Sequence, residues 1–251
     1  MVMNDFYIYD NTIRLHCRLE IPSGIEKCPL ILLFHGLTGS MEDDHLPELA
    51  QGMLAGGNAV LCTDLYGHGK SGGSLYEHTL HHWLGNIEAV TAYAEKLDFV
   101  TELYLAGHSQ GGLAAMLAAG THPDKYQGIL LFSPALVIMK GAKNGFLFGS
   151  TFDPACITED LSFEGHALSP AYLLSAQSFN YDKTIYNYKG PVLLVHGDCD
   201  DIAPLQDSQE AVQKYLHAEL KVIHGADHCF NDHIDEVTEV IRTFPVHKEK
   251  K

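Results

Sequence analysis

Residues 103–112 read LYLAGHSQGG, which places a serine among glycines directly after an apolar run. Gly107, Ser109 and Gly111 fit the pattern G-x-S-x-G, which is typical of a strand-turn-helix elbow that exposes a serine hydroxyl. A serine hydroxyl is a weak nucleophile at neutral pH, so it needs a histidine to take its proton and a carboxylate to hold that histidine. The pattern therefore predicts that Ser109 is a nucleophile and that two partner residues lie elsewhere in the chain.

Two downstream motifs supply the residue types that Ser109 needs. HGDCDD contains three acids, of which Asp200 fits the usual turn spacing best, while Asp198 and Asp201 are alternatives. GADHCF places His228 in a loop before the last predicted helix. Taken singly, Asp200 could cap the next helix and His228 could be an ordinary loop histidine. The order serine, acid, histidine, each after a predicted strand, instead predicts a catalytic triad.

Acyl transfer also requires hydrogen-bond donors for the negative oxygen that forms when a serine attacks a carbonyl group. The backbone N–H of Gln110, directly after the predicted nucleophile, is one candidate. The second candidate is the backbone N–H of Leu37 in HGLTGS, which follows the apolar run PLILLF. An ordinary glycine turn is the alternative for that loop. The glycine-rich stretch DLYGHGKSGG lacks the pattern of a phosphate-binding loop.

Short apolar runs alternate with helical patterns along the chain, which is typical of a mostly parallel sheet flanked by helices. Residues 6–10 and 13–21 predict an opening antiparallel hairpin. Further strands are predicted at 29–34, 59–64, 103–107, 128–133, 191–197 and 219–223, and helices at 45–55, 79–97, 111–119, 205–216 and 234–244. We therefore predict an α/β fold in which all three triad residues follow the carboxyl ends of strands.

About fifty residues separate the predicted strands at 128–133 and 191–197. An unstructured loop of that length is improbable in a compact domain. We therefore expect a small inserted lid at 134–187, and a core formed by 1–133 and 188–251. The insertion contains eight aromatic residues, most of which should form its own small core: Phe146, Phe148, Phe152, Phe163, Tyr172, Phe179, Tyr181 and Tyr186.

The charge balance argues against several classes of partner. The 251 residues include 32 acidic and 16 basic residues, for a formal net charge of -16 that repels nucleic acid and anionic membrane surfaces. The opening MVMNDFYIYD lacks the basic segment of a signal peptide, and no apolar stretch approaches the length of a membrane span. The six cysteines are scattered singly. These features predict a cytoplasmic protein with reduced cysteines, and they leave a homodimer open.

A metal site is the alternative reading of one histidine-rich segment. In EHTLHHW, the side chains of His78, His81 and His82 would share one face of a predicted helix. Histidine is a common ligand of transition metals, but it is also a frequent surface residue. A serine mechanism needs no cofactor, so we expect neither a cofactor nor a metal.

The motifs HGLTGS, DLYGHGKSGG, GHSQGG, HGDCDD and GADHCF together resemble the α/β-hydrolase superfamily over nearly the whole chain. GHSQGG, GADHCF and the insertion, especially FDP at 152–154 and AYLLSAQ at 171–177, resemble more narrowly the bacterial cinnamoyl (feruloyl) esterases. The resemblance implies Ser109, Asp200 and His228 as the triad, with Leu37 and Gln110 as the oxyanion pair. Members of that family often carry Phe at the position of Leu37, a change that leaves the backbone donor in place.

The resemblance also implies that the insertion is a lid that grips an aromatic acyl group, with Tyr172 as a lid tyrosine used for that purpose. Some relatives place an acid and an amide against the phenolic hydroxyl of the substrate. In this chain Gly141 or Ala142 and Phe148 stand at those positions. These positions therefore do not predict recognition of that hydroxyl, and Phe148 is expected, with Tyr172, to be a substrate-binding residue.

The resemblance implies a serine carboxylesterase that hydrolyses esters of hydroxycinnamic acids through an acyl-enzyme. One alternative is a broad short-chain acyl esterase or lipase-like hydrolase, with an apolar lid that has no aromatic preference. A second alternative is a ligand receptor that keeps the triad, because a fold does not determine a function. An esterase turns over many substrate molecules per site, whereas such a receptor releases little beyond one.

Overall fold

The chain opens with an antiparallel hairpin and then alternates between strands and helices. A computed structural model describes residues 2–43 and 45–244. Its first elements are β1 (Val2–Asp10), β2 (Ile13–Ile21), β3 (Cys28–Phe34), α1 (His45–Ala55), β4 (Ala59–Thr63), α2 (Leu80–Ala94), β5 (Val100–His108), α3 (Gln110–Thr121) and β6 (Gly128–Phe132). The strands β3, β4 and β6 are buried at every position, as expected of parallel strands covered on both faces.

After β6 the chain leaves this succession and forms smaller elements. These are α4 (Val137–Asn144), β7 (Phe146–Leu147), β8 (Ser150–Thr151), β9 (Leu161–Phe163), β10 (His166–Leu168), α5 (Pro170–Ser178) and α6 (Tyr181–Asn187). β7 pairs with β8 and β9 with β10, in two hairpins separate from the main sheet. Both hairpins turn on a residue pair with positive φ, Phe148-Gly149 and Glu164-Gly165, as a tight hairpin turn requires. All of these elements lie within the predicted insertion.

The alternation resumes with β11 (Val192–Gly197), α7 (Leu205–Lys214), β12 (Ala218–Ile223) and α8 (Ile234–Thr243). The complete sheet has eight strands in the order β1-β2-β4-β3-β5-β6-β11-β12. β2 is antiparallel to both of its neighbours, whereas the strands from β4 to β12 in this order pair in parallel. The carboxyl ends of β5, β11 and β12 therefore meet at one edge of the sheet, where ligands bind in open α/β folds.

Two hydrophobic clusters cover the two faces of the sheet. Alternate residues of β3 divide between them, since Leu30, Leu32 and Phe34 join the cluster that includes α3, while Ile31 and Leu33 join the cluster of α1 and α8. Helix α3 is buried from Gln110 to Gly120. The helix that begins next to Ser109 is thus held rigidly by packing on several sides.

Among residues 2–43 and 45–244, none of the helices combines the length and the apolar composition that crossing a membrane would require.

Candidate active site

Ser109 lies at the turn between β5 and α3 in a strained backbone conformation. Its φ of 55° and ψ of -121° fall in a region that residues other than glycine rarely adopt. Its backbone N–H donates to the carbonyl of Phe132 at 2.9 Å, and its own carbonyl accepts from the backbone N–H groups of Leu113 and Ala135. The neighbouring chain therefore holds the turn in place, as a nucleophile elbow requires.

The glycines around this turn allow backbone segments to pass in contact. A Cβ atom at Gly107 would clash with the backbone of Gly111, and one at Gly111 would clash with the carbonyl groups of Phe34 and His35. A Cβ atom at Gly36 would lie 3.1 Å from Cβ of Ser109. The loop after β3 thus packs directly against the elbow, and this close approach explains why glycines flank Ser109.

Ser109, His228 and Asp200 form a continuous chain of hydrogen bonds. Nδ1 of His228 lies 2.7 Å from Oδ2 of Asp200, and Nε2 lies 2.9 Å from Oγ of Ser109. Because a carboxylate only accepts, Nδ1 carries the hydrogen, and Nε2 has the lone pair that accepts from the serine hydroxyl. The Asp200 side chain is fully buried, and Ser109 and His228 are 8% and 6% exposed. This geometry allows His228 to take the proton of Ser109.

Asp200 is held in its ionised form by several donors. Oδ1 accepts from the backbone N–H groups of Ile202 and Ala203, at 2.9 and 2.8 Å, and Oδ2 lies 3.1 Å from Nε2 of the buried His196. Burial raises the pKa of Asp200, but the hydrogen bonds from His196, His228 and Ala203 outweigh it and hold the pKa well below its usual value. A charged Asp200 can stabilise the imidazolium form of His228.

The two rival acids of HGDCDD occupy other positions. Asp198 accepts from Nδ1 of His224 at 2.8 Å and from the backbone N–H of Gly225 at 2.7 Å. Asp201 is exposed and lies on the wall of an adjoining surface cleft. Of the three acids, the structure places only Asp200 against His228.

The backbone N–H groups of Leu37 and Gln110 lie on two segments that meet at Ser109. Within the described residues, neither N–H is engaged by a protein acceptor. Gln110 begins α3, where the first N–H groups of a helix have no partner within the helix. Both N–H groups are therefore available to a negatively charged oxygen that forms at Ser109, and their role as the oxyanion pair stays a prediction.

Two buried histidines hold the loop that carries Leu37. Nδ1 of His35 donates to the carbonyl of Gly36 at 2.7 Å, and Nε2 of His68 accepts from the backbone N–H of Thr38 at 3.1 Å. Burial lowers the pKa of His35 and lowers the pKa of His68 to about 2. Both rings therefore remain neutral near pH 7, so His68 keeps the lone pair that accepts from Thr38.

A cavity of about 300 Å³ lies above Ser109, between the core and the insertion. The residues that line it on the core side include Leu37, Asp43, His45, His108, Ser109, Ile202, His228 and Cys229, and those on the insertion side are Ala135, Ile138, Phe148, Phe163 and Glu164. The rings of Phe148 and Phe163 lie 4.2 Å apart between centroids. Their faces give the cavity an aromatic wall on the side of the insertion.

A family model described as serine aminopeptidase, S33, matches residues 26–156, slightly more than half of the chain. The chain belongs to this family. The matched region contains the elbow at Ser109 and the loop at Leu37. The α/β-hydrolase fold and the serine-hydrolase resemblance predicted from the motifs are thereby confirmed for this member of the family.

Two similar solved structures match this chain over almost its whole length. Est1E from Butyrivibrio proteoclasticus with ferulic acid bound is 41% identical, with a TM-score of 0.93 over 95% of this chain and 97% of that chain. A second structure of Est1E is 39% identical, with a TM-score of 0.90 over 96% of each chain. This likeness extends over the insertion as well as the core.

Among curated proteins, a monoglyceride lipase of Rattus norvegicus is 32% identical over 129 residues. That match covers 49% of this chain and 40% of the relative, and the human monoglyceride lipase covers the same shares at 29% identity. The matched segment thus spans well under half the length of these lipases.

Tyr172, the predicted lid tyrosine, lies behind the elbow of this hydrolase and not on the cavity wall. Its side chain is 0% exposed, and its hydroxyl donates to Oε1 of Gln110 at 2.7 Å. Nε2 of Gln110 in turn donates to Nε2 of His78 at 3.3 Å. The contact that the structure shows for Tyr172 is therefore with Gln110, and a contact between Tyr172 and the acyl group stays a prediction.

Glu164, which belongs to none of the sequence motifs, joins the insertion to the loop that carries Leu37. It lies at the tip of the β9–β10 hairpin, and its Oε2 accepts from Oγ1 of Thr38 at 2.7 Å. The two-residue turn Glu164-Gly165 between short apolar segments is the only local signal that could have located it. Its contact with Thr38 ties the aromatic wall to the predicted oxyanion loop.

A second match to G-x-S-x-G occurs at Gly69, Ser71 and Gly73, where the serine has a structural role. Oγ of Ser71 donates to the carbonyl of Asp64 at 2.6 Å and accepts from the backbone N–H of His16 at 2.7 Å. Both partners are backbone groups, so no general base activates this hydroxyl. The surroundings of the motif, and not the motif alone, distinguish Ser109.

The metal alternative for His78, His81 and His82 is not supported by their placement. His78 bonds to Gln110, His81 lies 3.3 Å from Oγ of Ser178, and His82 stacks on Tyr66 with ring centroids 4.2 Å apart. Helix α2 begins after Thr79, so His78 precedes the helix and does not share its face with the other two. Each of the three rings therefore contacts a different neighbouring residue.

Proposed function

We propose that this protein is a serine carboxylesterase that hydrolyses esters of hydroxycinnamic acids through an acyl-enzyme. The observation that carries the proposal is the juxtaposition of the Ser109–His228–Asp200 chain with the paired rings of Phe148 and Phe163 in one cavity. Est1E, a relative over nearly the full length, has been solved with ferulic acid bound, which supports this substrate class.

Acylation of Ser109 would begin when the serine Oγ attacks the carbonyl carbon of the ester while His228 Nε2 takes its proton. The carbonyl oxygen becomes negative and is stabilised by the N–H groups of Leu37 and Gln110. The imidazolium of His228, stabilised by Asp200, then gives the proton to the alcohol oxygen as the carbon–oxygen bond breaks. The alcohol leaves, and the acyl group remains bonded to Ser109.

Deacylation repeats these steps with water in place of serine. His228 takes a proton from water as the water oxygen attacks the acyl carbon, and the same two N–H groups stabilise the second oxyanion. The proton then returns to Oγ of Ser109 as the acyl bond breaks, and the carboxylic acid is released. No group outside the triad and the two donors is needed for these proton transfers.

The cavity wall favours a flat aryl acid over a flexible aliphatic one. Phe148 and Phe163 present aromatic surface, and each aromatic pair contributes about 0.5 to 1.5 kcal/mol beyond burial. Neither Phe148 nor Gly141 offers a polar side chain at the positions where some relatives bind the phenolic hydroxyl. We therefore expect unsubstituted and methoxylated cinnamates to be cleaved nearly as well as hydroxylated ones.

A kinetic panel tests the substrate class. We expect kcat/KM to be higher for methyl ferulate and methyl cinnamate than for aliphatic methyl esters of similar size. Phe163→Ala should lower kcat/KM for the cinnamates and leave acetate esters nearly unchanged, because an acetyl group does not reach the aromatic wall. Tyr186→Ala is the matched control, since that ring is 72% exposed, lies 3.8 Å from Nζ of Lys189 and does not line the cavity.

The second candidate function is a broad acyl esterase, which the match to monoglyceride lipase favours. If butyrate or monoacylglycerol esters are cleaved faster than every cinnamate, this candidate replaces the first. A triad-retaining receptor predicts only about one product molecule per site, so a burst without steady turnover would support that function instead.

A small-molecule ester is the substrate that these features support. A cytoplasmic location remains a prediction from the sequence. The sequence leaves a homodimer open, and analytical ultracentrifugation of the full chain tests for it.

A further inference from the structure

Three side chains with metal-binding atoms meet beside the triad without belonging to it. These are His45 at the start of α1, His108 at the end of β5, and Cys229 directly after His228. Their ligand atoms all lie within 4.8 Å of one another, and Nε2 of His45 is 3.0 Å from Nδ1 of His108. All three residues line the cavity above Ser109, so the group opens into the space that the substrate would occupy.

The hydrogen bonds of His108 fix which of its nitrogens has a lone pair. Nε2 lies 2.9 Å from the backbone carbonyl of His228, and a carbonyl only accepts, so Nε2 carries the hydrogen. Burial, together with the neighbouring rings of His45 and His228, holds the pKa of His108 well below its usual value, so the ring is neutral. Nδ1 therefore presents its lone pair toward His45, and neutral imidazole is the form that binds metals.

The charges around the group favour a cation. Asp43 and Glu164 line the same cavity, and both lie near Cys229. Burial raises the pKa of the Cys229 thiol to about 11, and the carboxylates of Asp227, Asp43, Asp200 and Glu164 add to this rise, since they disfavour a negatively charged sulfur. A metal ion that displaces the thiol proton restores a favourable charge balance, because it brings positive charge to the sulfur and to the carboxylates.

We propose that His45, His108 and Cys229 form a binding site for a thiophilic divalent cation such as Zn²⁺, and that its occupation inhibits the hydrolase. Two imidazole nitrogens and one thiolate are typical zinc ligands, at about 2.0 to 2.1 Å for nitrogen and about 2.3 Å for sulfur. Nε2 of His45 and Nδ1 of His108 lie 3.0 Å apart, and the cavity that all three residues line leaves room for a further ligand. Binding converts the Cys229 thiol to a thiolate with release of one proton, while His45 shifts its hydrogen from Nε2 to Nδ1.

The position of the group explains why occupation would inhibit. The rings of His108 and His228 lie 4.7 Å apart between centroids. A doubly charged ion on His108 disfavours the imidazolium that His228 must become during acylation, and it fills part of the acyl cavity. The proposed inhibition by zinc rests on the proposed esterase function, whereas the proposed binding of zinc does not.

Binding is tested on the full chain after treatment with a chelator. Calorimetric titration with Zn²⁺ should give one ion per chain, and titration with Co²⁺ should give a thiolate-to-cobalt charge-transfer band. Cys229→Ser should abolish the band, and Cys229→Ser and His45→Gln should each weaken zinc binding by about tenfold or more. His81→Gln, which alters a histidine outside the group, should bind zinc as the wild type does. Absence of binding at millimolar Zn²⁺, or unchanged affinity in both ligand variants, overturns the site.

Inhibition is tested separately by steady-state ester hydrolysis with and without Zn²⁺. We expect hydrolysis to fall as the zinc site fills, to recover fully with a chelator, and to require about tenfold more Zn²⁺ in Cys229→Ser. If zinc binds through Cys229 but hydrolysis is unaffected, the proposed inhibition is wrong, while the proposed zinc site is retained. If the untreated protein hydrolyses no ester, the proposed function fails while the calorimetric and cobalt measurements still decide the site.

Discussion

The hydroxyl of Tyr172 donates a hydrogen bond of 2.7 Å to the side-chain oxygen of Gln110, the residue that directly follows Ser109. Both side chains are buried, and Tyr172 belongs to α5 of the insertion while Gln110 begins the core helix α3. The insertion therefore contacts the side chain of Gln110, one member of the predicted oxyanion pair, and it also forms one wall of the cavity above Ser109.

Tyr172→Phe removes only this hydroxyl. The buried oxygen of Gln110 then loses its donor, which costs about 1 to 3 kcal/mol of unfolding free energy in denaturant titration. We expect kcat to fall similarly for cinnamate and acetate esters, with little change in KM, because the ring does not line the cavity. Tyr186→Phe is the matched control. A rise in KM confined to cinnamates would instead indicate that Tyr172 contacts the acyl group.

Ser109→Ala should lower kcat by about 10⁴ to 10⁶ without changing the circular dichroism spectrum, because the residue supplies the attacking oxygen. Its matched control is Ser71→Ala, which alters the serine of the second G-x-S-x-G match. That variant loses hydrogen bonds to two backbone groups and should be less stable while retaining most of its kcat. Substantial hydrolysis by folded Ser109→Ala contradicts the serine mechanism.

Asp200→Asn should reduce kcat by about 10³ to 10⁴, as in other triads whose acid is replaced by an amide. The amide cannot hold His228 in the tautomer that accepts from Ser109. Asp198→Asn serves as the control, since Asp198 pairs with the exposed His224. Steady-state measurements of kcat for the two variants test this assignment. A larger loss of kcat in Asp198→Asn than in Asp200→Asn would identify Asp198 as the acid of the triad.

Acid should destabilise the protein through His78. Burial lowers the pKa of His78 to about 4 from the model-compound value of 6.5, so the unfolded chain binds a proton more readily than the folded one. Unfolding free energy should therefore fall as the pH drops from about 6.5 to about 4, by on the order of 3 kcal/mol from this residue. Denaturant titrations across this range should show a weaker pH dependence in His78→Gln. An identical dependence in both proteins would assign the effect to other groups.

Much of the site was predictable because its residues follow strands whose apolar character is visible in the sequence. Ser109, Asp200 and His228 each come directly after such a run or in the loop that follows it, and parallel strands bring their carboxyl ends together. The predicted bounds of α1 coincide with the observed helix. Local pattern and strand order were sufficient for these features.

The insertion was harder to predict because its strands are only two or three residues long. Such segments are too short to show an alternation of apolar and polar residues. The partners of Tyr172 and Glu164 are 62 and 126 positions away in the chain, so no local pattern indicates them. The spacing of His78 and His82 suggested one helical face, but the helix begins only after Thr79.

The insertion leaves the sheet after β6 and returns to it at β11, and these two strands are hydrogen-bonded neighbours from Ile129–Val192 to Phe132–Val195. Residues 134–187 consequently form a detour whose two ends start side by side. Exchanging this detour for another of similar end spacing leaves the register of every core strand and the reach of His228 to Ser109 intact. Chimeras with related hydrolases should therefore carry a foreign acyl preference on the same triad, provided that the foreign insertion keeps a donor for Gln110 and an acceptor for Thr38.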